Sequence, residues 1–330
     1  MDFSAIFADG ARAAVGVEAT VYALAAIGLN VHFGYTGLLN FGHVGFMLVG
    51  AYGPAIVVAQ YGGPLWLGVL IGLACAVVLA LVLGLPTLRL RADYLAITTI
   101  AAAEILRLIY RSNYARPVTN GVFGLQQFAD AFYALSPIPP GSYGLGRLSF
   151  SARGLWIVLV GWALVALSAL LVFALMRSPW GRVQRSIRED EDAARSLGKN
   201  VFGYKLQSLV LGGVVGAVGG IVLAFANQAV TPDSYNPVVT FFAYTVLILG
   251  GAGRVLGPVV GSVIFWFLVA GTDSFLRQAI GTGLVPPGLL AAPEVGAVRF
   301  ALVGLGLMLL MAFRPEGLFG DRREMLLDAR

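Results

Sequence analysis

The chain of 330 residues is poor in charge and carries one cysteine and two histidines. A lone cysteine, Cys75, excludes an internal disulfide and a cysteine-based metal site. Two histidines leave little from which to build an embedded hydrolase, and neither H-E-x-x-H nor G-x-S-x-G occurs. G-x-x-x-x-G-K-[ST] is absent too, so nucleotide is not bound by a P-loop. Charged residues make up 12% of the chain, against about a quarter in soluble domains. Hydrophobic residues make up 58% and the mean hydropathy is +0.83, which excludes a soluble globule.

What is present is long apolar sequence. No Asp, Glu, Lys or Arg occurs from Ala19 through Leu88, room for three spans at roughly 20 residues per crossing. Further charge-free runs cover Gly154 to Met176, Leu206 to Pro232, Ser234 to Gly253, Val255 to Thr272 and Phe300 to Phe313. A shorter apolar run, Tyr94 to Ala103, extends through Glu104 to Ile109. The apolar residues run continuously rather than alternating, which specifies helices and not barrel strands. The expectation is an all-α integral membrane protein, a polytopic bundle of 8 to 10 transmembrane helices forming one domain over 1–330.

Residues 1–18 lack the basic start of a signal peptide and are expected to form an uncleaved interfacial segment. Orientation follows the Lys/Arg count. Segment 177–205 has seven, the 17-residue tail 314–330 has four, and the 43 residues of 111–153 also have four at lower density. The first two are therefore expected in the cytoplasm, and 111–153 forms an extracytoplasmic loop. These arginines account for a pI near 9.5, leaving no case for a nucleic-acid partner.

Within 177–205, Ser186 and Glu189 have the spacing of a capping box, and Gly198 supplies a stop. A helix over Ile187 to Leu197 is expected, about 16 Å long at 1.5 Å per residue. Glu189, Asp190, Glu191 and Asp192 at its start and Arg195 and Lys199 at its end suit the helix dipole. Ile187, Ala193, Ala194 and Leu197 would form a narrow apolar stripe open to close approach.

Two Gly-rich segments, Gly34–Pro54 and Gly250–Pro258, interrupt the apolar runs, as discontinuous helices do where they line a cavity or lie buried in protein. Gly212, Gly216 and Gly220 recur at a spacing of four, as do Gly253, Gly257 and Gly261, and Gly68 with Gly72, a pattern for close helix packing. The candidate pathway residues are Asn40, His43, Thr98, Thr99, Glu104 and Asn120. Helix–helix hydrogen bonding is the plainer role for Asn40, His43 and His32. Glu104 has Arg107 three residues on, the spacing of an ion pair, and the two threonines can bond the preceding turn.

Asp192-Ala193-Ala194-Arg195-Ser196-Leu197-Gly198 resembles the E-A-A-x-x-x-G cytoplasmic loop of ABC importer permeases, with aspartate in the glutamate's place. Six ordered stretches resemble the branched-chain amino acid permeases of the LivM type: GYTGLLNFGHVGFMLVGAY (34–52), LRLRADYLAITTIAAAEILR (88–107), TNGVFGL (119–125), SIREDEDAARSLGKNVFGYKL (186–206), GGAGRVLGPVVGS (250–262) and RPEGLFG (314–320). The resemblance implies a multi-pass permease subunit of the bacterial inner membrane, with a cytoplasmic C-terminus. Its partners would be a homologous second permease, two ATP-binding cassette subunits holding ATP and Mg, and a periplasmic substrate-binding protein. This chain would itself bind no cofactor and no metal and catalyse nothing. Ile187, Glu189, Asp190, Asp192, Ala193, Ala194, Leu197 and Gly198 would then form the coupling helix that docks on the ATPase. The implied cargo is branched-chain or other hydrophobic amino acids. Urea or short amides, and a self-sufficient ion-coupled carrier using Glu104, are the alternatives.

Overall fold

In hydrocarbon no water bonds the backbone, so the long apolar runs close their hydrogen bonds within themselves and become helices. The computed structural model describes residues 1–90, 92–146, 148–282, 294–314 and 317–319. The charge-free stretch from Ala19 to Leu88 folds into α2 (Val17–Leu29), α3 (His43–Ala59) and α4 (Leu65–Thr87), preceded by α1 (Phe3–Val15). A 20-residue α5 (Ala92–Arg111) follows. The 111–153 loop holds the short α6 (Arg116–Thr119) and α7 (Asp130–Ala134), strand β1 (Leu125–Gln126) and the hairpin β2 (Ser142–Leu145) and β3 (Leu148–Ser151).

Then come α8 (Ala152–Arg177), α9 (Pro179–Glu189), α10 (Glu191–Ser196) and α11 (Val201–Asn227). Strand β4 (Ala229–Val230) pairs antiparallel with β1 and ties the loop to the end of α11. The chain continues through α12 (Pro237–Gly250), α13 (Gly257–Gly281) and α14 (Val295–Phe313). Among the described residues five helices, α4, α8, α11, α13 and Val17–Tyr35, are long and apolar enough to cross a membrane, and three shorter apolar helices accompany them. The protein is an all-α, multi-pass membrane protein.

Burial separates inner from outer helices. Every residue of α2 from Ala19 to Leu29 is buried, as befits a helix surrounded by others. By contrast α4 buries only Gly68, Gly72, Ala76, Ala80, Gly84 and Thr87, and turns Trp66, Leu70, Ile71, Val78, Val82 and Leu85 outward. Its small residues, four apart, bring Gly68 and Gly72 against the α3 backbone at Gly50, Gly53 and Pro54. The face of Gly212, Gly216 and Gly220 on α11 does the same: a Cβ there would strike the Gly28 carbonyl, the His43 ring and the Met47 carbonyl in turn. Segment 1–18 forms α1, packed on α13 through Phe7 and Phe267, whose rings meet edge to face at 5.5 Å.

The polar loop departs from expectation. Ile187 to Leu197 is not one helix, because the chain breaks at Asp190 (φ −155°, ψ 107°), whose carboxylate caps α10 by accepting from the Asp192 and Ala193 N–H at 2.9 Å each. Ser186 caps nothing: it lies inside α9, and its hydroxyl bonds the Val183 carbonyl at 2.8 Å. Asp190 displaces Ser186 as the cap because a helix starting there lets Ile187 and Ala194 pack together on Val201 while its carboxylate holds the Asp192 and Ala193 N–H groups. Gly198 is the stop, at φ +75°, with its N–H on Arg195 O and the Lys199 N–H on Ala194 O, the paired bonds of a Schellman closure. Of the tail 314–330, only Arg314 and 317–319 are described, so its expected placement otherwise lies outside the described residues.

Candidate functional site

Two helix interruptions meet at one end of the bundle. After Leu29 the chain widens into a π-helical turn, Asn30–Tyr35, and then leaves helical form until α3 begins at His43. Such turns recur at functional sites. Between α12 and α13 the chain again loses helix, with Gly251 at φ +104° and Gly253 at φ +79°. Asn30 joins the two breaks: its Nδ2 donates to Arg254 O at 2.8 Å and its Oδ1 accepts from the Gly253 N–H at 2.8 Å. The free carbonyls at the end of α12 are closed by the chain after α14, where the Leu318 N–H reaches Leu249 O at 3.0 Å and the Phe319 N–H reaches Gly250 O at 3.2 Å.

The first break is held by side chains from several helices. The Tyr244 hydroxyl accepts from the Asn40 N–H at 3.1 Å and donates to Asn40 O at 3.2 Å. Thr99 Oγ1 accepts from the Phe41 N–H at 3.1 Å, and Thr240 Oγ1 from the Val44 N–H at 3.0 Å. His32 is a defined tautomer: with Nε2 3.1 Å from Leu209 O, that nitrogen carries the proton, and Nδ1 accepts from Asn40 Nδ2 at 3.2 Å. The His43 ring stands edge-on to His32 at 5.5 Å, fully buried, and neither of its nitrogens finds a hydrogen bond among the described residues.

The polar loop reaches into the same break. Gln184 of α9 is buried; its Nε2 donates to Tyr204 O at 2.9 Å, which turns Oε1 toward the Thr36 hydroxyl at 3.0 Å. The Thr36 hydroxyl also lies 2.9 Å from Val31 O and 2.8 Å from the Ser208 hydroxyl, itself 3.0 Å from Val31 O, so Thr36, Gln184, Ser208 and Val31 form one buried polar cluster. One turn on, Arg188 Nη1 donates to Gly34 O at 2.5 Å. Beyond α9, Glu191 of α10 is held by Arg195 Nη2 at 2.9 Å and by Lys205 of α11.

The expected apolar stripe on this loop splits in two. Ile187 and Ala194 are buried with Val201 against Val183 and Tyr204, whereas Ala193 and Leu197 face outward, Leu197 with 79% of its surface exposed. The break at Asp190 is the reason, since it ends the helical register that would have put Ile187 and Ala194 on an open face. Glu189, Asp190, Asp192 and Gly198 are exposed.

Of the pathway candidates, Asn40, His43 and Thr99 come together around the first break. Thr98 bonds its own helix at Tyr94 O, 2.7 Å away. Glu104 pairs with Arg107 at 2.5 and 2.9 Å, and Arg107 also binds Asp233 at 2.6 Å, so the ion pair belongs to a cluster at the opposite end from the loop. Asn120 sits in left-handed backbone in the 111–153 loop, with Nδ2 on Gly124 O at 2.7 Å. Asn30, Thr36, Gln184, Arg188, Ser208, Thr240 and Tyr244 escape a reading of the sequence. For Asn30, Thr36, Ser208, Thr240 and Tyr244 the one visible signal is a polar side chain in an uncharged run, Gln184 and Arg188 are lost among the polar residues of 177–205, and the partners lie as far as 224 residues away.

Residues 12–312 match the family described as branched-chain amino acid transport system / permease component. The chain belongs to this family. Among relatives of this permease, the high-affinity branched-chain amino acid transport system permease protein LivM of Escherichia coli (strain K12) is 29% identical, over 93% of this chain and 69% of the relative. The corresponding LivH protein of the same organism is 27% identical over 84% of this chain and 94% of its own length. The nucleoside ABC transporter permease protein NupC of Lactococcus lactis subsp. cremoris is 24% identical, covering 85% and 86%.

Proposed function

We propose that this permease is one transmembrane subunit of an ABC importer in the bacterial inner membrane, with a homologous permease beside it. ATP and Mg are bound by two partner ATPases, and a periplasmic binding protein delivers the cargo. The arginine-dense loop 177–205 lies in the cytoplasm, by the excess of basic residues.

The connection of α9 to the first break carries this reading. A helix of 11 residues ends in Gln184–Thr36 and Arg188–Gly34 contacts on one side and in the capped α10 on the other. Force applied by an ATPase to the outer face of α10, at Ala193 and Leu197, reaches the end of α2 through α9. There the Asn30 clip joins α2 to the second break. Two interrupted helices that share one polar clip have the makings of alternating access.

The cargo is a branched-chain or other hydrophobic amino acid, supported by the names of the relatives LivM and LivH. Among the described residues the buried polar side chains are Thr, Asn, His, Gln and Ser, a neutral set that suits a zwitterion passing without tight binding. Similarity to a nucleoside permease supports a second reading, a broader class of small neutral solutes. The test is co-expression with the ATPases and binding protein, then uptake by proteoliposomes. ATP-dependent uptake of leucine is expected. Flux of leucine through this chain alone, or failure of the ATPases to co-purify, would sink the reading.

A further inference from the structure

At the start of α2, far from the polar loop, lies an open hollow of about 830 Å³ between α1, α2, α13 and the first turns of α14. The other end of this span is the one that meets α9, through Thr36 and Gln184 and through Arg185 over the Tyr35 ring. From Glu18 to Tyr35 the chain climbs about 25 Å at 1.5 Å per residue. The hollow therefore opens on the membrane face opposite α9.

Its acids and its arginines come from different helices. Asp9 of α1 and Glu18 of α2 line it, and so do Asp273 and Arg277 of α13 and Arg299 of α14. Asp273 is shared by two guanidiniums, accepting from Arg277 Nε at 2.7 Å and from Arg299 Nη1 at 3.0 Å. Arg299 Nε is buried and finds no acceptor among the described residues, so this guanidinium keeps donor capacity beyond Asp273. Asp9 accepts from the Ser274 hydroxyl at 2.7 Å. The Glu18 side chain is exposed and makes no hydrogen bond or ion pair among the described residues. Residues 283–293, next in the chain after Thr282 at the rim, carry no charged side chain.

Asn30 meets Arg254, and further along Tyr22 meets Trp266 with ring centres 5.3 Å apart, so α2 and α13 run antiparallel. Beyond that ring contact Glu18 lies one turn on and Asp273 two turns on, about 6 and 10 Å at 1.5 Å per residue. The free carboxyl group and the arginine pair are thus offset by only about 4 Å along the bundle. Between them the wall is apolar, with Val17, Val269 and Ala270.

We propose that this hollow is an outer holding site for a zwitterionic amino acid, its carboxylate against Arg299, its ammonium against Glu18 and its apolar side chain on Val17, Val269 and Ala270. Adjacent opposite charges bridge so short an offset, whereas an amine or a fatty acid meets one wall alone. The identity of the solute as cargo, and the outward orientation, rest on the proposed function. The hollow and its two walls do not.

The test is equilibrium binding of radiolabelled leucine to the purified full chain in neutral detergent, without ATPases or binding protein. Saturable binding is expected. Isoamylamine, which lacks the carboxylate, and isocaproate, which lacks the ammonium, should compete about tenfold more weakly than leucine, the loss of one charge-assisted hydrogen bond. Glu18→Gln should weaken leucine about tenfold and erase its advantage over isocaproate, a change of rank that misfolding does not produce. Ala270→Trp, which fills the hollow and keeps its charges, should abolish binding and covers the case in which Glu18→Gln does not insert. Isoamylamine competing as well as leucine would make this a simple cation site, and phosphoethanolamine doing so would make it a lipid headgroup site; either overturns the proposal. So does the absence of saturable binding, or binding unchanged in either variant. ATP-dependent uptake is a separate readout: uptake without binding by the lone chain sinks this site alone, and binding without uptake sinks the importer reading alone.

Discussion

The two helix breaks solve one problem in different ways. Around Thr36–Gly42 the exposed backbone is satisfied by side chains: Thr99 of α5, Thr240 and Tyr244 of α12, and Asn40 itself capping the Gly42 N–H at 3.0 Å. Around Leu249–Arg254 the described partners are the Asn30 side chain and the backbone of Leu318 and Phe319. The first break is thus cross-braced from many directions and is also the one that touches α9. Among the described residues the second is held by the Asn30 clip to Gly253 and Arg254 and by two backbone bonds from Leu318 and Phe319. In the proposed importer the first would act as a rigid receiver and the second as a hinge, because among the described residues fewer side chains hold it.

The largest expected effect comes from breaking the braced side. Asn40→Leu removes the acceptor for Gly42 and the donor to His32 Nδ1, leaving two buried groups unsatisfied at about 1–3 kcal/mol each. Detergent-solubilised yield and thermal melting should both fall sharply. A variant that melts like the parent would show that the first break is not held by its side chains.

Asn30→Leu should have a smaller effect on stability and a larger one on transport. It orphans the Gly253 N–H and Arg254 C=O, at about 1–3 kcal/mol each in a fully buried setting, but although Asn30 itself is buried, Gly253 is half-buried and Arg254 is exposed. Part of the penalty is then relieved by water. Melting should drop less than for Asn40→Leu, while ATP-driven uptake falls and ATPase activity persists. Parallel losses of melting and uptake in the two variants would erase the distinction between receiver and hinge.

The sequence displays the breaks but not their bonds. Glycine and proline clusters at 34–54 and 250–258 mark where helix fails, because those residues act through local backbone preference. The glycine faces of α4 and α11 are legible for the same reason: spacing of four needs no knowledge of the partner. The Asn30–Gly253, Thr36–Gln184 and Tyr244–Asn40 bonds are long-range, and no local pattern distinguishes Asn30 from an ordinary polar residue near a span end. In the loop, composition specifies a helix with a Gly198 stop but leaves its start ambiguous. Both Ser186 and Asp190 are good N-caps, and packing of Ile187 and Ala194 on Val201 decided in favour of Asp190. Several stretches that resemble the family, including 34–52, 186–206 and 250–262, coincide with these irregular places.

The smallest effect on folding, and the sharpest on the comparison, is expected at Leu197. If the loop drives only the first break, then altering its outer face should change coupling and leave both breaks intact. Leu197 is 79% exposed and follows the last turn of α10, so Leu197→Ser removes no packing within the chain and melting should stay within about 0.5 kcal/mol of the parent, the usual range for surface changes. ATPase co-purification and uptake should fall together, because an apolar anchor has been taken from the docking face. Ala194→Glu, two residues from the Ser196 end of α10, supplies the contrast. Its carboxylate would be forced among Ile187, Val201 and Val183, so α10 should lose its seat and the loop should become protease-sensitive. If Ala194→Glu leaves the loop protected while Leu197→Ser makes it cleavable, the inward and outward faces of α10 have been assigned the wrong way round.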